Sequence, residues 1–162
     1  MAVTLSRLSD RNRPQRAYKW RITIQGESDR LPPDLIQDCT LPIPAAENMA
    51  IHQGGTNDYY PNFVDIGNLS LTFIENDRGQ VIKAINDWKH RVQRVDELFN
   101  YSPDYKRDVY CDLLTNGNDL HTRVVLVGVW PISSSPTILD YQSADIWRIA
   151  QEFSVDGSYI DR

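Results

Sequence analysis

The feature that most constrains this chain is a change of hydrophobic period between residues 68 and 93. In Asn68-Leu69-Ser70-Leu71-Thr72-Phe73-Ile74-Glu75, the residues Leu69, Leu71 and Phe73 alternate with Asn68, Ser70 and Thr72, the period-two pattern of a half-buried strand. The period then changes. Val81, Ile85, Trp88 and Val92 recur at offsets of four, three and four, which places them on one face of an amphipathic helix expected from Asp77 to about Gln93. Asp77 is suited to cap the helix start, and Gln80 three residues on completes a variant of the capping box. The remaining periodic segments read as strands, so the expected design is mainly β, a sheet crossed by one helix with Val81, Ile85, Trp88 and Val92 in its core.

Tyr18, Trp20, Ile22 and Ile24 alternate with Lys19, Arg21, Thr23 and Gln25, predicting a first strand with one apolar face. Residues 110–115 and 122–129 flank Asn116-Gly117-Asn118-Asp119, and Asn-Gly is among the strongest short hairpin signals. Val124-Val125-Leu126-Val127 is apolar on both faces, so cover on both sides is expected there, with Trp130-Pro131 ending the strand. A last strand is predicted from about Trp147 to Val155, with Trp147, Ile149, Phe153 and Val155 on one face. After Gly26 comes a turn-rich stretch with Pro32 and Pro33, a short apolar piece around Leu35 and Ile36, and then Leu41-Pro42-Ile43-Pro44, which cannot sit in a central strand. The stretch from Ala45 to Asp65 is polar and turn-forming, with Gly54-Gly55 near its middle and Tyr59, Tyr60 and Phe63 around Pro61. So long a connection is usually functional. The expectation is an extended hairpin or loop reaching beyond the body, the alternative being that its aromatics fold back on the core.

At 162 residues the chain is long enough for one domain with a real core, expected over residues 17–162 behind a basic arm at 1–16. The arm carries Arg7, Arg11, Arg13 and Arg16 against Asp10. Three readings stay open for it: a solvated flexible terminus, an arm that orders against an acidic neighbouring subunit, or a nucleic-acid contact. A formal net charge of −5 argues against a protein that grips nucleic acid through its phosphates. Cys39 and Cys111 are the only cysteines, which excludes a disulfide-dense scaffold and favours reduced thiols, though not to the exclusion of a single bridge. No signal peptide and no apolar run of membrane length are expected.

Catalytic chemistry finds little footing. His52, His90 and His121 are scattered without metal-ligand spacing, and Cys39 and Cys111 form no C-x-x-C pair, so zinc is not expected. Gly54-Gly55 lacks the Lys-Ser/Thr of a phosphate loop, and no G-x-S-x-G sets a nucleophile on an elbow. The acids are numerous, and only their tertiary placement would reveal a glycosidase-like pair. No catalytic, metal or cofactor-binding residue is assigned.

The order of basic arm, strand, polar excursion, strand, Trp-bearing helix, hairpin and closing strand resembles the tail tube proteins of contractile-tailed phages. Asn86-Asp87-Trp88 is similar to that family's Trp-containing helix, and Gly128-Val129-Trp130-Pro131 to its G-x-W-P strand end. Leu139-Asp140-Tyr141 and Phe153-Ser154-Val155 resemble its L-D-aromatic turn and closing F-x-V strand. The resemblance covers about Tyr18 to Tyr159; the arm from Arg7 to Arg16 matches no family motif, and Ser158 to Arg162 does so loosely. It implies a small β-sandwich or partial barrel with one helix packed on it, six copies closing into a ring, and rings stacking into a tube whose lumen conducts DNA without binding it specifically. Sheath, baseplate and tape-measure proteins are the implied partners, in a virion tail whose subunits fold in the bacterial cytoplasm. Related inner tubes belong to type VI secretion and extracellular contractile injection systems, and baseplate tube initiators share the fold. Tyr59, Tyr60 and Phe63 become candidate inter-ring contacts, and Arg7, Arg11, Arg13 and Arg16 a candidate inter-subunit arm.

Overall fold

The structure, a computed structural model, describes residues 18–93, 98–134 and 145–161, without the side chains of Gln53 and Phe63. The arginines of the arm and the Leu139-Asp140-Tyr141 motif lie outside the described residues. The elements run β1 (Trp20–Ile24), β2 (Ile36–Thr40), β3 (Ala45–Gln53), β4 (Thr56–Asp65), β5 (Asn68–Ile74), α1 (Gln80–Val92), α2 (Ser102–Tyr105), β6 (Arg107–Leu114), β7 (Leu120–Ser134), β8 (Arg148–Ser154) and β9 (Gly157–Asp161). The fold is mainly β with one principal helix.

All strand pairs are antiparallel, and β7 belongs to two layers. Its first part lies between β6 and β9, with β1 beyond β6; its last part pairs with β8, followed by β5 and β2. The changeover falls at Gly128, whose φ of +67° and tight surroundings both require glycine: a Cβ there would sit 2.2 Å from Asp156 Oδ2. Trp130-Pro131 therefore does not end the strand. From Trp130 onward β7 pairs with β8 alone among the described residues, an edge position that tolerates a residue without an N–H. The expected cover on both faces also fails at one position. Val125 lies between Tyr110 and Tyr159 and is buried, as is Leu126 on the opposite face, but Val127 faces Gly157, which has no side chain to cover it, and stays 36% exposed.

The helix starts later than its sequence suggests. Asp77 is exposed in the preceding turn, and α1 begins at Gln80 behind Gly79 in the left-handed conformation. Its first N–H groups are satisfied from the end of β5: the Glu75 carboxylate accepts from Val81 (3.0 Å) and Ile82 (2.8 Å), and Asn76 Oδ1 from Gln80 (3.1 Å). A charged acceptor beside these free donors is also favoured by the helix dipole. Val81, Ala84, Ile85, Trp88 and Val92 face inward onto a core containing Ile22, Ile24, Leu69, Leu71, Phe73, Val109, Leu126, Val129 and Phe153. Trp88 is fully buried with its ring centroid 5.6 Å from that of Phe153, and its Nε1 donates to the carbonyl of Tyr105 at 2.6 Å. This bond ties α2 to α1. Gln151 shares the inward face of β8 with Ile149 and Phe153; its amide donates to the carbonyls of Ser133 and Glu152, so a polar side chain is buried without loss of hydrogen bonding.

Candidate assembly surface

The stretch from Ala45 to Asp65 is a long hairpin, β3 and β4 paired with each other in a sheet of their own. Gly54 (φ +58°) and Gly55 (φ +84°) form its tip, and two successive positive φ values give the turn whose twist suits antiparallel strands. Tyr59 (64% exposed) and Tyr60 (51%) stand clear of the core, so these two tyrosines do not fold back on it. The register sets them on opposite faces. Tyr60 lies opposite Met49, with Ile51 two residues along on the same face, while Tyr59 lies opposite Ala50. Met49 and Ile51 are themselves exposed apolar residues, and the pattern M-x-I on the partner strand is the signal that could have added them to Tyr60. Phe63 lies on β4 with its side chain outside the description.

The sheets leave edges open as well. β1, β2 and β9 each have one strand neighbour among the described residues, leaving backbone groups on the other side available for pairing. β9 presents Tyr159 and Ile160 exposed. Sequence reasoning left this strand unassigned, although Asp156-Gly157 before an alternating Ser-Tyr-Ile-Asp run signals a turn into one.

The outward faces of the two layers differ in chemistry. On the first, Arg21 pairs in register with Asp112, Asp112 with Arg123, and Arg123 with Asp161, a row of alternating charge across four strands. Asp112 is almost fully buried and accepts from Arg123 at 2.7 Å and Arg21 at 3.2 Å. The Arg123 hydrogen bond, with that from Arg21, holds its carboxyl below the usual carboxylate range against the opposing effect of burial. The Arg123 guanidinium also lies over the Tyr110 ring. On the second layer, Asn68, Ser70 and Thr72 of β5 lie beside Ser154, Glu152 and Ala150 of β8, with Asp38 and Thr40 of β2 on the other side. This face is mostly polar, and Glu152 and Asp38 are its acids. The polar residues of β1 and those of β5 thus belong to different layers.

Among the described residues no group of three His, Cys, Asp or Glu is placed to hold a metal ion, and no helix is long and apolar enough to cross a membrane. The buried Glu27 is paired with Arg91, and Arg107 lies 4.0 Å away, an arrangement that fastens the turn after β1 to α1.

No protein-family model matches the sequence, and no curated protein matches it. The fold does have solved relatives. It is similar to a chain from the anti-feeding prophage cap, a tube terminating cap, with a TM-score of 0.73 and 16% identity over 99% of each chain. It is similar to a chain of an extracellular contractile injection system, the PVC sheath–tube complex in its extended state, with a TM-score of 0.70 and 14% identity over 93% of each chain. A third likeness is to a chain of the six-fold symmetrised anti-feeding prophage baseplate, with a TM-score of 0.62 and 14% identity over 91% of this chain and 95% of that one. The fold is therefore one found in tube, cap and baseplate assemblies of contractile injection systems.

Proposed function

We propose that this chain is a structural subunit of a contractile-tail tube, joining edge to edge with five copies of itself into a ring and stacking ring on ring into a hollow conduit. The observation that carries the proposal is the β3–β4 hairpin, a long two-stranded arm outside the core that exposes apolar side chains on both faces. An isolated two-stranded hairpin is marginal in water, and a surface of this kind calls for a partner. In a stack of rings the next ring supplies it, with Tyr59, Tyr60 and Phe63 as contacts and Met49 and Ile51 completing the Tyr60 face. The open edges of β1, β2 and β9 supply the pairing within a ring, where closure removes free strand edges.

The polar face of β5 and β8 is the better lumen wall of the two layers, because it carries no cluster of cations to hold a polyanion. In a phage tail the cargo passing it is DNA; in an injection system it is a protein. The subunit binds neither cargo specifically and catalyses no reaction, and it meets sheath, baseplate and tape-measure proteins at the outside and ends of the tube. The Arg7, Arg11, Arg13 and Arg16 arm reaches an acidic neighbouring subunit. A second reading, favoured by the end-to-end likeness to a terminating cap, is a component that starts or ends the tube. Sedimentation velocity tests the proposal: species of ring mass or larger are expected without nucleotide, metal or cofactor. A tube subunit grows beyond the ring, and an end component stops there. A single 18.7 kDa species at all concentrations, even with a baseplate nucleus supplied, contradicts both.

A further inference from the structure

Cys39 and Cys111 sit on facing walls of the sandwich. Cys39 on β2 lies in register with the buried Leu71, and Cys111 on β6 with the buried Ile22, so both side chains take the inward positions of their strands. They line the same cavity, of about 420 Å³, together with Trp20, Leu41, Ile43 and Leu113. Facing sheets lie about 10 Å apart, and immunoglobulin domains span that gap with a disulfide between inward cysteines packed beside a tryptophan. Both thiols are free here, with Cys39 partly exposed and Cys111 buried. We propose that Cys39 and Cys111 are an inter-sheet dithiol that a small disulfide oxidant converts into a bridge, fastening β2 and the root of the β3–β4 hairpin to β6.

The chemistry is thiol–disulfide exchange. The Cys39 thiolate attacks one sulfur of the oxidant, forming a mixed disulfide and releasing one reduced thiol. The Cys111 thiolate then attacks Cys39 Sγ and expels the second. Two protein thiols are oxidised, one oxidant disulfide is reduced to two thiols, and the two protons end on the departing sulfurs. Burial, with the neighbouring Cys111, raises the Cys39 thiol to about 12, and burial followed by the Asp112 carboxylate raises Cys111 to about 11. Little thiolate forms at neutral pH, so the reaction is slow. The equilibrium nevertheless favours the bridge, since a dithiol without stabilised thiolates is the opposite of a strongly oxidising pair. The consequence concerns the hairpin. Leu41 and Ile43 lie between Cys39 and the start of β3, so the bridge anchors the segment from which the hairpin projects.

The test incubates the purified full chain with excess oxidised glutathione at about pH 8.5, followed by alkylation in denaturant and non-reducing peptide mapping. The expected product carries no bridge between molecules, has lost two hydrogen atoms, carries no alkylated cysteine and yields one crosslinked peptide joining Cys39 to Cys111. Its melting temperature rises by roughly 5 °C or more, and dithiothreitol reverses the rise. The Cys111→Ser variant stops at a glutathione adduct on Cys39. Two alkylatable thiols after incubation, stable adducts on both cysteines of the wild type, or bridges only between molecules overturn the proposal. The peptide map of the wild type decides the matter even where the variant does not fold.

Discussion

Replacing Trp88 tests the packing account most severely, because one side chain joins α1 to both β8 and α2. Truncation to alanine removes a fully buried indole in contact with Phe153, for which large-aromatic truncations cost about 3–5 kcal/mol. It also leaves the Tyr105 carbonyl without its 2.6 Å donor, a further loss of about 1 kcal/mol or more where water does not reach. The sum, about 4–6 kcal/mol, corresponds to a fall of roughly 10–20 °C in melting temperature for a domain of this size. Against a total stability of about 5–15 kcal/mol, Trp88→Ala is close to unfolding, so Trp88→Phe is the informative partner. It keeps an aromatic ring against Phe153 and loses only the donor and part of the volume, for an expected cost of about 1–3 kcal/mol. Urea denaturation followed by circular dichroism reads both variants. An unchanged midpoint in Trp88→Ala refutes the packing account, and equal losses in the two variants place the whole effect in the hydrogen bond.

Changing Tyr59, Tyr60 and Phe63 together to Ser is expected to leave the circular dichroism spectrum and single rings intact while shortening or abolishing tubes by microscopy. Tubes of normal length would remove the hairpin from the stacking contact. Gly128→Ala forces a positive φ on a residue with a Cβ and drives that atom into Asp156, for an expected cost of about 2–3 kcal/mol, read as a lower denaturation midpoint. Glu75→Gln retains an acceptor but removes its charge from the start of α1, and is expected to cost about 0.5–1 kcal/mol by the same assay. For Asp112 the folded carboxyl titrates below its ordinary value of 3.8, so its stabilisation is present above that pH and lost as pH falls through the folded value. Asp112→Asn is therefore less stable than the wild type at pH 7, with the gap closing below pH 3.8; a gap independent of pH would exclude ionisation as its cause.

Much of the fold was legible because its signals are local. The alternation of Leu69, Leu71 and Phe73 and the Asn-Gly turn are written within a few residues, and β5 and the β6–β7 hairpin lie where those patterns fall. The errors came where partners are distant in sequence. Asp77 looked like the helix cap, but Glu75 and Asn76 at the end of β5 reach the first N–H groups of α1. Trp130-Pro131 looked like a strand end, yet β7 continues because Gly128 lets it change layers and its last part needs only one neighbour. Val127 looked covered until the register placed it against Gly157. At the assembly surface, the Ala45 to Asp65 excursion was visible from its length and aromatics. That Tyr59 and Tyr60 point to opposite faces, with Met49 and Ile51 joining only the second, depends on a strand register that composition does not specify.

The central claim is that copies of this chain close into rings and stack into a tube, and negative-stain electron microscopy of the purified protein, alone and with a baseplate nucleus, tests it most directly. The account predicts hollow rings with six-fold symmetry in end view and, where growth proceeds, tubes of uniform width in side view. Isolated globular particles without a central channel under both conditions would contradict it.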